Sequence, residues 1–203
     1  MIKLGLTGSI GMGKSETARM FRRLGVPVYD ADAAVHAIYA RGGAAVPAIA
    51  LAFPDAVRDG AVDRQVLGRL VIGNEAAIRR LERIAHPLVR LSQQRFLQRA
   101  RAAREALVVL DIPLLFETGG TRQVNQEAVV RTPARVQRQR VLRRPNMTAE
   151  KLAGILARQV PDKVKRRRAD FVINTGRGKR EALHQVRRIV RLLQRGAGRR
   201  LRR

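Results

Sequence analysis

The chain of 203 residues is long enough for one α/β domain with a full core, and its lack of cysteine excludes disulfides, thiol catalysis and cysteine-bound zinc. The 42 lysines and arginines against 16 acidic residues give a net charge of +26, and after position 134 there are 23 basic residues against 4 acidic ones. With no tryptophan and only two tyrosines, the chain lacks the aromatic platforms of single-strand nucleic-acid binders, so we interpret the charge as a solvated basic face with a few substrate-directed arginines.

Features of secreted and membrane-bound proteins are missing from the sequence. It has no apolar stretch of about 18 residues and no charged-then-apolar leader at the N-terminus. We therefore expect a cytoplasmic protein without a membrane partner, present as a monomer or a small homo-oligomer. The basic surface predicts non-specific binding to polyanions, but no dedicated nucleic-acid partner.

The first predicted strand and helix enclose a phosphate-binding loop. A strand over 2–7 and a helix over 15–24 flank the run Gly8-Ser9-Ile10-Gly11-Met12-Gly13-Lys14-Ser15, which matches the P-loop pattern G-x-x-x-x-G-K-[ST]. The glycines allow a tight turn with positive φ that aims successive N–H groups at one anion. Lys14 is long enough to reach the β- and γ-phosphates, and Ser15 is placed to ligate Mg²⁺. The motif predicts a protein that binds a nucleoside triphosphate.

Two aspartates follow the second predicted strand, which covers 26–29. In an open α/β sheet, ligands bind outside the carboxyl ends of the strands, where Asp30 and Asp32 lie. One carboxylate could accept a proton from a hydroxyl or hold metal-bound water, while the other caps the helix predicted over 33–39. Capping by both aspartates is the alternative.

The middle of the chain, 44–105, contains no convincing strand. Helices are predicted at 44–52, 63–71 and 74–103, and together they indicate a helical insertion beside the sheet. The pair His86-Pro87 suggests a kink or break in the last helix beside a binding surface, and a structural role for it is favoured over a catalytic one.

The sheet resumes at 106–111, 124–130 and 171–173, and helices fill the intervals near 133–144, 148–159 and 179–195. Five parallel strands flanked by helices predict a doubly wound α/β domain, followed by a disordered basic tail over 196–203.

Asp111 ends its strand like a Walker B acid, although an ordinary strand-to-loop transition fits equally well. Five arginines follow on one predicted helix, and spacing alone does not say which of them reaches a phosphate: Arg135, Arg138, Arg140, Arg143 and Arg144.

Taken together, the motifs closely resemble those of the dephospho-CoA kinase family over nearly the whole chain. The segments that carry the resemblance are 7–15, 29–32, 86–87, 111–117, 137–140, 155–159 and 169–174. The resemblance implies transfer of the ATP γ-phosphoryl group to the ribose 3′-hydroxyl of dephospho-CoA, with ATP and Mg²⁺ as cofactors. It also implies a P-loop NTPase-type three-layer α/β/α domain over 1–203, with a core at about 1–40 and 105–195, a CoA-binding insertion at about 44–104 and a lid at about 138–168.

Residue roles follow from the same resemblance. Lys14 corresponds to the phosphate clamp, Asp32 to the base that orients the hydroxyl, Arg140 to the lid arginine and Ser15 to the Mg²⁺ ligand. The ATP-binding residues implied are Gly8, Gly11, Met12, Gly13, Lys14, Ser15, Glu16, Asn174 and Gly176. Those implied for dephospho-CoA are Asp32, His86, Pro113, Leu114 and Leu115.

The sequence departs from the family pattern at Asn125, Asn174 and Glu127. Glu127 stands in a strand expected to be buried on both faces, where a carboxylate must find a partner or stay protonated.

The sequence leaves two alternative functions open. One is another small-molecule P-loop kinase, for nucleoside monophosphates or a similar hydroxyl acceptor, and the other is a basic nucleic-acid-associated P-loop protein with little catalysis.

Overall fold

The computed structural model describes the backbone of residues 1–200 and the side chains of residues 1–196. This part of the chain divides into two compact units, Met1–Tyr29 with the chain from Ala100 onward, and Asp30–Arg99. The strands in chain order are β1 (Ile2–Thr7), β2 (Val28–Asp30), β3 (Val57–Arg58), β4 (Ala61–Val62), β5 (Leu107–Asp111), β6 (Gln126–Arg131) and β7 (Phe171–Asn174). The helices are α1 (Lys14–Arg23), α2 (Ala31–Tyr39), α3 (Val46–Ala52), α4 (Arg64–Val71), α5 (Glu75–Ala102), α6 (Ala134–Leu142), α7 (Ala149–Ala157), α8 (Asp162–Arg168) and α9 (Lys179–Arg200).

The main sheet in residues 1–200 has five parallel strands in the order β2-β5-β1-β6-β7. Every residue of β5 is buried, and Leu4 and Leu6 of β1 are completely inaccessible, as expected for central strands covered on both faces. The prediction of an α/β fold with a five-stranded parallel sheet is therefore confirmed. Because Leu6 is in register with Asp111, the carboxyl ends of β1 and β5 lie side by side. The loop after β1 thus begins next to Asp111.

The second unit has its own apolar core, and it starts earlier in the chain than the predicted insertion. Ile38 and Tyr39 of α2 are buried together with Ile49, Phe53 and Leu67 of the same unit. Since its apolar face packs into this cluster, α2 belongs to the second unit rather than to the sheet core predicted for 1–40.

A short hairpin in the second unit corrects the prediction of a strand-free middle segment. β3 and β4 pair antiparallel, with Val57 opposite Val62. The turn between them is Asp59-Gly60, and both residues have positive φ, 51° and 73°. Paired two-residue strands are too short to produce an alternating pattern, although Asp-Gly is a known signal for a two-residue hairpin turn.

Helix α5 agrees with the helix predicted over 74–103, and it passes through Pro87, so of the kink or break suggested at His86-Pro87 the structure excludes the break. Proline removes one backbone hydrogen bond and crowds the preceding turn, at a cost of about 3 kcal/mol. Partly buried residues on both sides, Leu81, Ile84 and Leu88, pack against the core of the second unit and stabilise the helix across this point.

The C-terminal helix also differs from the prediction. α9 continues to Arg200, so the backbone of 196–200 is helical where a disordered tail was expected. Residues 201–203 lie outside the described residues. Within residues 1–200, no helix is both long and apolar enough to span a membrane.

Glu127, near the start of β6, is half-buried rather than fully buried. Its backbone N–H donates to Asp170 Oδ2 at 2.8 Å, which brings two acidic residues together. Burial raises the pKa of Glu127, and the neighbouring Asp170 carboxylate raises it further, while Arg168 acts in the opposite direction. The charged form of Glu127 is therefore less favourable in the folded protein than in the unfolded chain.

We predict that Glu127→Val and Glu127→Gln raise the thermal midpoint at pH 7. A rise of about 2–4 °C corresponds to roughly 1 kcal/mol in a protein of this size. Because folding raises the pKa of Glu127, its destabilising effect develops as the pH rises from the unfolded-state pKa through the folded-state pKa. The gain should therefore shrink towards pH 4. Circular-dichroism melts at both pH values, with exposed Glu82→Gln as control, test this, and an unchanged or lower midpoint for both variants at pH 7 contradicts it.

Candidate nucleotide-binding site

The P-loop connects β1 to α1 in the conformation that its glycines predict. Thr7 ends β1 fully buried, and α1 begins at Lys14. Gly13, the residue before the helix, is in the left-handed region with φ 95°. The first N–H groups of a helix have no intrahelical partner, so those of Lys14, Ser15 and Glu16 lie where a helix N-terminus favours an anion.

Position 11 of the P-loop needs glycine for two reasons, its backbone conformation and the lack of space for a side chain. Its φ of 76° is in the left-handed region, and a Cβ there would overlap the Val141 side chain and lie 3.2 Å from the Gln137 carbonyl oxygen. α6 can therefore pack against the P-loop only because Gly11 has no side chain.

Lys14 and Asp111 form an ion pair where the P-loop meets β5. The distance from Lys14 Nζ to Asp111 Oδ1 is 2.5 Å, and the two side chains are 15% and 3% exposed. This nearly buried ion pair joins the start of α1 to the end of β5. Of the two interpretations of Asp111, the structure supports the one in which it belongs to the phosphate site.

The loop after β7 is fastened to both the P-loop and α6 through Thr175. Its hydroxyl donates to the Met12 carbonyl oxygen at 2.6 Å and accepts from Arg140 Nη1 at 3.1 Å, while Arg140 Nη2 donates to the Thr175 carbonyl oxygen at 3.0 Å. Asn174 Oδ1 accepts from the Gly176 N–H at 2.9 Å and so closes the turn locally. Sequence reasoning missed Thr175, because its role depends on contacts with two distant segments.

Arg140 is distinguished from the other arginines on this part of the chain by its burial. It is partly buried, whereas the other four are exposed: Arg135, Arg138, Arg143 and Arg144. Both of its hydrogen bonds go to Thr175, which in turn is bonded to Met12 of the P-loop, and spacing alone did not contain this information.

Glu16 lies in the first turn of α1 and pairs with two cations. Its carboxylate is 2.8 Å from Arg19 Nη1 and 3.4 Å from Lys179 Nζ. Burial acts to raise the pKa of Glu16, but Lys179 and Arg19 together hold it below its ordinary value. Its side chain is therefore already engaged by protein cations, and its backbone N–H is the group that can face a phosphate.

The predicted substrate-binding residues in the loop after β5 differ in their exposure to solvent. The Thr7 hydroxyl donates to the Pro113 carbonyl oxygen at 2.9 Å, which holds the loop against the end of β1. Leu114 is 41% exposed, whereas Leu115 is completely buried. Leu115 packs against Gly5 and Gly120, so its side chain fills the core.

In the second unit, the structure separates the roles of the two aspartates. Asp30 caps α2, with its Oδ1 accepting from the Ala33 N–H at 3.0 Å. Asp32 lies exposed in the first turn of the same helix. Capping therefore uses Asp30, directly at the end of β2, and leaves the carboxylate of Asp32 at the solvent-facing start of α2.

His86 is exposed on α5 in a strongly basic setting. It contributes to a cavity of about 740 Å³ whose other lining residues also come from α5: Ala76, Arg79, Arg80, Glu82, Arg83 and Pro87. The three arginines make this surface suitable for an anionic ligand. Among the residues that the structure describes, no three acidic, histidine or cysteine side chains are grouped to hold a metal ion.

Comparison with known proteins gives consistent results over most of the chain. A model of the dephospho-CoA kinase family matches residues 2–180. The dephospho-CoA kinase of Mesorhizobium japonicum is 59% identical over 190 residues, which are 94% of this chain and 95% of that protein. The crystal structure of TT1252 from Thermus thermophilus has a TM-score of 0.81 at 35% identity and covers 93% of this chain and 95% of its own. A dephospho-CoA kinase from Campylobacter jejuni shares the fold, with a TM-score of 0.65 at 21% identity over 94% of this chain and 96% of its own.

Proposed function

The chain belongs to the dephospho-CoA kinase family, and we propose that it transfers the γ-phosphoryl group of ATP to the ribose 3′-hydroxyl of dephospho-CoA. The products are CoA and ADP, and the reaction is the last step of coenzyme A synthesis. The observation that carries the mechanism is the Lys14–Asp111 pair at the mouth of a P-loop whose first helical N–H groups have no intrahelical partner. A cytoplasmic location is part of this proposal.

Lys14 supplies the mobile positive charge of the phosphate site. In the structure, the Lys14 ammonium group is held by the Asp111 carboxylate, largely shielded from solvent. When the triphosphate binds, the Lys14 ammonium group can turn one of its N–H donors from the Asp111 carboxylate to the β- and γ-phosphates. The first N–H groups of α1 bind the phosphate oxygens at the same time. Phosphoryl transfer depends mainly on such positioning and charge neutralisation, and it needs no covalent enzyme intermediate.

The residues at this site fit a magnesium ion. Ser15 follows Lys14 in the first turn of α1, and the Asp111 carboxylate lies against the Lys14 ammonium group. The Ser15 hydroxyl and the Asp111 carboxylate are oxygen ligands of the kind that Mg²⁺ prefers. Ser15 and Asp111 would hold the ion together with phosphate oxygens and water. Bound there, Mg²⁺ would neutralise negative charge on the β- and γ-phosphates.

Asp32 is the proposed base for the acceptor hydroxyl. It follows the carboxyl end of β2, and its carboxylate is exposed while the neighbouring Asp30 serves as the helix cap. A carboxylate at this kind of position can orient the 3′-hydroxyl and accept its proton as the bond to phosphorus forms. Pro113 and Leu114 remain proposed contacts for dephospho-CoA.

The second unit is proposed to bind the CoA portion of the acceptor. His86, Arg79 and Arg83 present a cationic surface on α5, which suits the pyrophosphate of dephospho-CoA. Asn174 and Gly176 are proposed to border the adenine of ATP, in the loop that Thr175 fastens to the P-loop. The lid proposed for 138–168 includes Arg140.

Arg140 should contribute to catalysis more than any exposed arginine of α6. We expect Arg140→Met to lower kcat/KM for ATP about 100-fold, the effect of removing one preorganised donor, because the variant loses both the cation and the anchoring of Thr175. The matched control is Arg138→Met, an exposed residue of the same helix, which should stay within twofold. Steady-state kinetics and thermal midpoints of both variants test this, and equal kinetics would contradict it.

An acceptor panel tests the proposed function directly. Purified protein with ATP and Mg²⁺ should release ADP rapidly with dephospho-CoA, and no faster with nucleoside monophosphates than with water. The 3′-deoxy analogue of dephospho-CoA should act as an inhibitor that releases no ADP, because it lacks the attacking hydroxyl. ADP release with dephospho-CoA at the rate seen with water would refute the proposal.

A further inference from the structure

Both backbone polar groups of Ile10 in the P-loop are hydrogen-bonded to glutamine side chains from the region of α6 and α7. The Ile10 carbonyl oxygen accepts from Gln137 Nε2 at 2.8 Å, and the Ile10 N–H donates to Gln159 Oε1 at 3.2 Å. Gln137 is buried in α6, and Gln159 follows α7. Ile10 is thereby fixed from two sides by residues more than 120 positions away.

A buried lysine from α8 contacts the preceding residue of the P-loop. Lys165 is completely inaccessible to solvent, and its Nζ lies 2.7 Å from Glu117 Oε1 and 3.5 Å from Ser9 Oγ. Glu117 Oε1 also accepts from the Val160 N–H at 2.9 Å. Burial acts to raise the pKa of Glu117, but the hydrogen bonds from Lys165 and Val160 hold it below its ordinary value. Glu117 is therefore held as a carboxylate in direct contact with Lys165 Nζ.

Helix α8 also holds the loop that follows β5. The Arg168 guanidinium lies over the Phe116 ring, 5.0 Å from its centroid, next to the Glu117–Lys165 pair. Contacts of a cation with an aromatic face are attractive. α8 is thus attached to the P-loop through Ser9 and to the 112–117 loop through Phe116 and Glu117.

From these contacts we propose that Gln137, Gln159 and Lys165 are positioning residues for the nucleotide. A glycine-rich loop has many accessible conformations, and ordering it on binding weakens the affinity for phosphate. By fixing Ser9 and Ile10 before ATP arrives, the three side chains restrict the loop to the conformation that binds the triphosphate. This inference rests on the proposed function, because it requires that the P-loop binds the phosphates of ATP.

The test compares residues that contact the P-loop with exposed residues of the same type. Lys165→Met alone leaves Glu117 buried without its cation, so Lys165→Met/Glu117→Leu is used as well, since it replaces the pair with apolar side chains. Exposed Lys163→Met is the matched control for Lys165, and exposed Gln139→Leu is the control for Gln159→Leu. Each variant is measured for its Kd for ADP by calorimetry, its KM for ATP and for dephospho-CoA, and its thermal midpoint.

We expect Gln159→Leu and the double variant to raise the Kd for ADP and the KM for ATP about tenfold, while the KM for dephospho-CoA changes less than twofold. The two controls should match the wild type. A variant whose thermal midpoint falls while both nucleotide constants stay at the wild-type value has lost only stability, and that result for both variants overturns the inference. If the wild type binds ADP but does not phosphorylate dephospho-CoA, the proposed function fails, and the ADP constants still decide the inference.

Discussion

Replacing Lys14 with methionine should lower kcat/KM for ATP by about 10²–10³-fold, the loss seen when one preorganised electrostatic contact to the transition state is removed. Methionine keeps most of the length of the side chain, so the expected loss comes from the charge. The phosphate oxygens would then be left with backbone N–H groups and no nearby ammonium group from the P-loop.

The Lys14–Asp111 pair adds a second expectation to this result. Because Asp111 is only 3% exposed, Lys14→Met leaves a carboxylate buried without its cation, and the thermal midpoint should fall as well. The control is Lys14→Met/Asp111→Asn, in which neither side chain is charged. Its midpoint should recover while its activity does not, because the phosphate contact is still missing. Activity of Lys14→Met close to that of the wild type would contradict the proposed phosphate site.

Replacing Asp32 with asparagine should lower kcat by about 10²–10⁴-fold, the usual contribution of a positioned general base. Asparagine can still orient a hydroxyl, but it cannot accept the proton. Asp32 is exposed and is not the residue that caps α2, so the KM for ATP and the thermal midpoint should remain close to the wild-type values. Steady-state kinetics with saturating dephospho-CoA measure this effect.

Asp30→Asn is the matched control for Asp32→Asn. The Asp30 carboxylate accepts from the Ala33 N–H, and asparagine caps helices about as well as aspartate, so this variant should retain activity and stability. The reverse outcome, with Asp30→Asn inactive and Asp32→Asn active, would move the base to Asp30. A mild effect of both substitutions would reduce Asp32 to a residue that positions the acceptor.

Much of the first unit could be predicted because its signals are local. The P-loop pattern between an apolar strand and a helix places Lys14 at the start of α1, and the apolar run before Asp111 indicates a fully buried strand. The hairpin between β3 and β4 could not be predicted in the same way, since paired two-residue strands carry too little periodicity. Helix α5 was predicted over 74–103, but only its packing in the second unit explains why Pro87 does not break it.

At the candidate site, too, local sequence signals identified the motifs but not the contacts that their residues make. Arg140 could be selected from five arginines only by resemblance, and its partial burial and its hydrogen bonds to Thr175 distinguish it from the other four in the structure. Leu115 was predicted to contact substrate because it belongs to a recognisable motif. Its complete burial shows that the motif also carries core packing.

By itself, the sequence determined the kind of chemistry: the spacing of glycines, lysine and serine over 8–15 specifies a phosphate-binding turn through backbone geometry and side-chain length, which are local properties. Only the tertiary structure decided which side chains and backbone groups around the P-loop are bonded to other parts of the protein and which can face a ligand. Asp111 lies 97 residues after Lys14, Gln159 lies 149 residues after Ile10, and Lys165 lies 156 residues after Ser9. No local pattern encodes such separations. Parallel strands bring these remote segments to one edge of the sheet, because every crossover returns the chain to the same end.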